Sequence, residues 1–235
     1  MLEKIFKKDE KETNLNIIII IGIIIAVIFL SATSGMDSMN GTVDTEDVNV
    51  KELLSNITDN YTAKINISNS LESKNFNYSR DSKVEILDEG DYSNKAYLVY
   101  NNKKYLIDVE NYKLSKINKI DILEDPYINF DLIKRITNIC EFEDVNTTNK
   151  LCTIKASTYL NEYNSIYKTN FSSEEDMNIN ISYYPTRIYS ITIDYTNVDK
   201  VINNGEDILK YEFVFSDIGK NNYEEMLKYY KKELK

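Results

Sequence analysis

The sequence predicts an α+β fold: an N-terminal single transmembrane helix, then a curved antiparallel β-sheet packed on a few helices. Three observations lead there. Residues 13–36 carry no charge, and Ile17–Leu30 holds nine isoleucines with no polar residue. Beyond residue 60, runs of alternating apolar and polar residues recur, separated by Asn-rich turns. Only three stretches show helical periodicity.

The apolar run comes first. Its 24 uncharged residues would make a helix of about 36 Å at about 1.5 Å per residue, enough for a hydrocarbon core of about 30 Å. A lone segment in lipid must satisfy its own backbone, which selects helix. A cleaved signal peptide is the competing reading, with Ala32 and Ser34 before the cut. The long leader of mixed charge argues for an uncleaved anchor. No cysteine follows the run to accept a lipid. Lys4, Lys7, Lys8 and Lys11 precede it, and no Lys or Arg follows until Lys51. By the positive-inside rule the N-terminus stays in the cytoplasm. The expected organisation is a cytoplasmic tail (1–14), a transmembrane helix (15–36), a linker (37–47) and an extracytoplasmic α+β domain (48–235) in the cell membrane.

The elements of that domain follow in order. "VNVKELLSNI" reads as a short helix and "YTAKINIS" as a strand with Tyr61, Ala63, Ile65 and Ile67 on one face. A weaker pair of strands covers 75–87. The clearest hairpin is 97–107, because Asn101-Asn102 suits a two-residue type I′ turn. That register sets Leu98 against Tyr105 and Ala96 against Ile107. Lys113–Ile117 continues the meander. Asp125 and Pro126 open a helix through Ile136. A hairpin around Asn146 follows, and residues 157–168 are ambiguous. Two strands turn near Pro185-Thr186, and another runs through "ILKYEFVFSDIG", reached by Asn204-Gly205. The C-terminal "YEEMLKYYKKEL" is amphipathic.

Two stretches carry a resemblance. "YNNKKYLIDVENYKLSKI" and "YEFVFSDIG", with the order of elements, resemble the bacterial lipoprotein-carrier fold group, the LolA-like and LppX-like domains. In that group a leading helix precedes a wide antiparallel sheet that curls over helices, and acyl chains bind beneath it. The resemblance implies a lipid-binding cavity and assigns no individual binding residue. A permanent anchor departs from a freely diffusing carrier.

Composition narrows the function. The net charge is −10, which argues against nucleic acid and anionic lipid surfaces as partners. With no histidine, imidazole bases and metal ligands are absent. Walker, Rossmann and GxSxG motifs are missing. Ser165 and Lys168 form an SxxK spacing that chance alone supplies. "DEGD" at 88–91 reads as a solvated turn rather than a calcium loop, since EF-hand spacing is missing. No catalytic, cofactor-binding or metal residue is assigned, and no cofactor is expected. Eight Asn-x-Ser/Thr triplets would mark glycosylation only in a eukaryotic source.

Cys140 and Cys152 are the only cysteines. On the outer side of a membrane they are expected to form a disulfide. A hairpin turning at Asn146 would set them directly opposite, with Cα atoms about 4.5–5.5 Å apart.

The expected function is a non-enzymatic structural or regulatory interaction partner in the cell envelope, engaging an envelope protein. The alternative is a tethered lipid- or amphiphile-binding domain of lipoprotein-carrier type. An apolar cavity of about 300 Å³ or more between sheet and helices would favour the alternative. A core filled by side chains would favour the first.

Overall fold

Residues 48–89, 95–219, 223–230 and 233–234 are described in the computed structural model. One antiparallel sheet of eleven strands dominates them. In chain order these are β1 (Tyr61–Asn69), β2 (Ser73–Arg80), β3 (Val84–Asp88), β4 (Ala96–Tyr100), β5 (Lys103–Asp108), β6 (Lys113–Ile117), β7 (Glu143–Asn146), β8 (Asn149–Lys155), β9 (Asp176–Tyr184), β10 (Arg187–Asp194) and β11 (Leu209–Ile218). The helices are α1 (Val50–Ser55), α2 (Phe130–Ile139), α3 (Ala156–Tyr167), α4 (Thr196–Ile202) and α5 (Tyr223–Tyr230).

The spatial order is β6-β5-β4-β3-β2-β1-β11-β10-β9-β8-β7. The chain walks from the centre to one edge as a meander, crosses through α2 to the other edge, and returns. Its first and last strands pair in the middle, from Tyr61↔Ile218 to Asn69↔Leu209.

Register explains which side chains are buried. Successive strand residues face opposite sides. One row across the centre reads Ile181, Ile191, Phe213, Ile65 and Phe76, all buried. The next row reads Asn180, Thr192, Glu212, Asn66 and Asn75 and faces out. Residues from α1, α2, α3 and α4, among them Leu54, Ile133, Leu160 and Val198, complete the core on the inner face. Each such aliphatic or aromatic side chain, once buried, stabilises by about 1.5–3 kcal/mol.

Toward β6 both faces carry apolar side chains: Leu87, Val99 and Ile117 continue the inner core. On β3, β4 and β5 the outer face turns apolar, with Val84, Leu98 and Ile107 buried. These form a second, separate cluster with Tyr230 and Leu227 of α5. So α5 covers the outer face, opposite the other four helices.

The expectation of an α+β fold behind a transmembrane helix is corrected on two counts. The described structure is mostly one large sheet, with helices of only 6–12 residues. Those helices also do not gather on one face, because β3–β6 bury apolar side chains on both of their faces. Among the described residues no helix is long and apolar enough to cross a membrane. The tail, the apolar segment 15–36 and the linker 37–47 lie outside the described residues.

Local expectations fared unevenly. The hairpin pairs Leu98 with Tyr105 and Ala96 with Ile107, as expected. Asn101 and Asn102 adopt φ of 48° and 61°, the positive values that a type I′ turn requires. Asp125 caps only a 3-10 turn, Pro126–Ile128, through the Tyr127 N–H. Helix α2 starts later, capped by Asn129. The ambiguous 157–168 segment is α3. Helix α4 interrupts the path expected to run directly to β11.

Candidate functional site

Two polar arrangements stand out, one inside and one outside. The inner one begins with the sequence EDPY. Pro126 fixes the start of the 3-10 turn, so Asp125 and Tyr127 are held close in space. Asp125 Oδ2 accepts the Tyr211 phenol at 2.6 Å, and Oδ1 accepts the Tyr127 N–H at 2.9 Å. Tyr127 in turn donates its phenol to Asp199 Oδ1 at 2.8 Å, which also accepts from Asn203 Nδ2 at 2.7 Å. Tyr195 and Tyr159 donate to the carbonyls of Tyr127 and Pro126. The rings of Tyr127 and Tyr195 stack at 4.7 Å, and Tyr211 meets both edge-on.

Burial sets the electrostatics. Desolvation raises the phenols of Tyr127, Tyr159, Tyr195 and Tyr211 far above the ordinary tyrosine range. They are neutral donors at any physiological pH. Desolvation also raises Asp125, partly opposed by its bonds to Tyr211 and Tyr127. Gly205 lies against this network, and a Cβ there would collide with the Asp199 carboxylate. The carboxylates and phenols therefore serve one another, fastening the 3-10 turn and α4 to β11.

The outer arrangement is a cleft of about 490 Å³ across β2, β1, β11 and β10, lined by Lys64, Asn66, Asn75, Thr192, Lys210 and Glu212 among others. Asn66 Nδ2 donates to Glu212 Oε2 at 2.8 Å. That bond orients the amide, and Asn66 Oδ1 is left buried without a protein donor. The cleft is open and polar, so it offers hydrogen-bonding groups to a solute or a protein surface and no apolar enclosure. Asn66 and Asn180 both begin Asn-x-Ser triplets, yet both sit within paired strands with a buried carbonyl oxygen.

Cys140 and Cys152 stand at disulfide distance, with Cα atoms 5.7 Å apart and both side chains buried. Their geometry is not that of a hairpin pair. The turn lies at Thr147-Thr148, with Asn146 paired to Asn149, and Cys140 sits outside the ladder at the C-cap of α2. The pair thus joins a helix end to β8. Lys168 Nζ donates to the Ser165 carbonyl at 2.8 Å, not to its hydroxyl. In the acidic turn, Glu89 accepts the Tyr97 phenol at 2.8 Å, while Gly90 and Asp91 lie outside the described residues. Among the described residues no group of three or more Cys, Asp or Glu side chains is placed to hold a metal ion.

Sequence reasoning missed the tyrosine–carboxylate network. Its members are spread from residue 125 to residue 211, and only the Asp-Pro-Tyr run marked one corner. No family model matches the chain, and no curated protein matches it.

Proposed function

We propose that the chain is a non-enzymatic interaction domain of the cell envelope, held at the membrane by its apolar N-terminal stretch and facing outward. It acts as a structural or regulatory partner of an envelope protein. The observation that carries this reading is the filled inner face of the sheet. Where a lipoprotein-carrier-like domain would hold an acyl chain, Tyr61, Phe130, Phe213 and Phe215 pack ring against ring at 5.0–6.4 Å. Tyr127, Tyr159, Tyr195 and Tyr211 fill the adjoining region, each bonded through its hydroxyl. Interiors packed in this way leave a ligand no volume. The placement outside rests on the uncharged run and on the lysines that precede it. The cysteine pair at disulfide distance fits an oxidising compartment.

Cross-linking in intact cells tests the reading. An amine-reactive, membrane-impermeant reagent should reach Lys64 and Lys210 and join them reproducibly to one envelope protein. Lysines that stay unmodified until the cells are opened would overturn the outward placement. A stoichiometric lipid carried through purification of the full chain would favour the lipid-binding alternative instead.

A further inference from the structure

We propose that the outer face of β3–β6 is a docking surface for an amphipathic helix, and that α5 is its resident, displaceable occupant. This rests on the reading of the chain as an interaction domain and names the chemistry of one partner.

The face itself is the first observation. Val84, Leu98 and Ile107 form a cluster that shares no residue with the main core. A sheet that already buries Leu87 on its inner face does not need this second apolar side to fold around its core. What covers the patch is a single eight-residue helix with the turn that follows it. Helices this short do not hold together alone in water. The patch therefore supports the helix more than the helix supports the sheet.

The contacts show what the face recognises. Leu227 and Tyr230, three residues apart on one side of α5, enter the cluster together with Leu234 from beyond the helix. Glu233 Oε2 accepts the main-chain N–H of Leu114 at 2.7 Å. Leu114 lies on β6, the edge strand, so the carboxylate occupies an edge donor that a neighbouring strand would otherwise take. Tyr229 stacks on Tyr112 at 5.5 Å. A partner of the same kind would present large apolar side chains at i, i+3 and i+7, with a carboxylate at i+6. The chain between β11 and α5 begins at Gly219, whose φ is 79° and whose missing Cβ would meet nothing within 4 Å. The Gly219 N–H donates to the Asn60 carbonyl at 2.7 Å, which fastens the end of β11 without help from α5.

The test uses the full chain in detergent, with a fluorescent peptide of residues 223–235 as the probe. Hydrogen exchange should show the amides of α5 opening at least tenfold faster than those of β1 and β11. In Tyr230→Ser or Leu227→Ser, whose own helix is loosened, the peptide should bind at least tenfold tighter than in the wild type. Should either variant lose protection in β1 and β11, the wild type decides: saturating peptide should speed exchange in its own α5. Exchange of α5 in step with β1 and β11 would overturn the proposal. So would the absence of saturable peptide binding to every chain tested. Neither failure bears on partners found by cross-linking Lys64 and Lys210, so the two readings fall separately.

Discussion

Tyr211, on the central strand β11, donates its phenol to Asp125, the residue that caps the 3-10 turn ahead of α2, at 2.6 Å. The bond joins the sheet to the crossover between its two edges. Tyr211→Phe keeps the ring and leaves Asp125 Oδ2 without that donor. The expected cost is about 1–3 kcal/mol. At about 2–4 °C per kcal/mol for a domain of this size, thermal unfolding should show it clearly. An unchanged midpoint would mean that the bond contributes nothing net.

Asp125 also gives a pH signature. Burial raises its folded-state value above the ordinary 3.8. Between those two values the folded chain binds more protons than the unfolded chain, so stability falls as pH rises through that window. Asp125→Asn lacks this term. Denaturant unfolding from pH 3.5 upward should therefore show the wild type losing stability relative to Asp125→Asn. A wild type that gains on the variant as pH rises would reverse the sign and refute the assignment.

Gly205 is held small by its neighbour. In Gly205→Ala the new Cβ meets the Asp199 carboxylate, which must move off the Tyr127 phenol that it accepts at 2.8 Å. A loss of about 1–3 kcal/mol is expected. The cost should shrink in an Asp199→Ala background, where nothing remains to collide. A double-mutant cycle with no coupling would show that the two positions are independent.

The cysteines are expected to be joined. With Cα atoms 5.7 Å apart and 12 residues of separation, a bond would stabilise the chain by roughly 3 kcal/mol in the chain-entropy model. Non-reducing peptide mapping of protein from its native compartment should yield one cross-linked peptide pair. Two alkylatable thiols would refute it. Reductant should also lower the unfolding midpoint.

Asn101 and Asn102 hold positive φ in the hairpin of β4 and β5. Asn102→Val places a β-branched residue there, and destabilisation of about 1–2 kcal/mol is expected. Asn102→Gly should be neutral or stabilising, because Asn-Gly is the favoured type I′ pair. Chemical denaturation of both variants ranks them directly.

Strands were legible because period-two alternation is local. Tyr61, Ala63 and Ile65 point inward as their spacing implied. The turn at Asn101-Asn102 was legible because few residues tolerate those angles. Helix α4 was not, since seven residues give too short a window for periodicity and only Val198 is buried. Helix α3 hid for a related reason: its inward residues are Ala156, Tyr159, Leu160 and Tyr163, and tyrosine serves strand and helix patterns alike. Symmetry about Asn146 predicts a hairpin pair for the cysteines, whereas α2 ends at Ile139 and leaves Cys140 as its cap. That α5 is amphipathic could be read; which face of the sheet it covers could not, because both faces offer apolar rows. The tyrosine network depends on pairings across 86 residues that no local pattern encodes.

The central pairing of β1 with β11 fixes when folding can finish. The first six strands neighbour one another in sequence and can zip as they emerge during synthesis. Strands β7 to β10 can do the same from the other edge. Neither half has a partner for its inner border until β11 appears, and β11 spans Leu209–Ile218 near the C-terminus. Until then, two half-sheets expose long bare borders, the form most open to wrong pairing. The closing contact spans nearly the whole domain, and contacts of such long range slow folding. Completion of the sheet thus waits until β11 is available to both half-sheets.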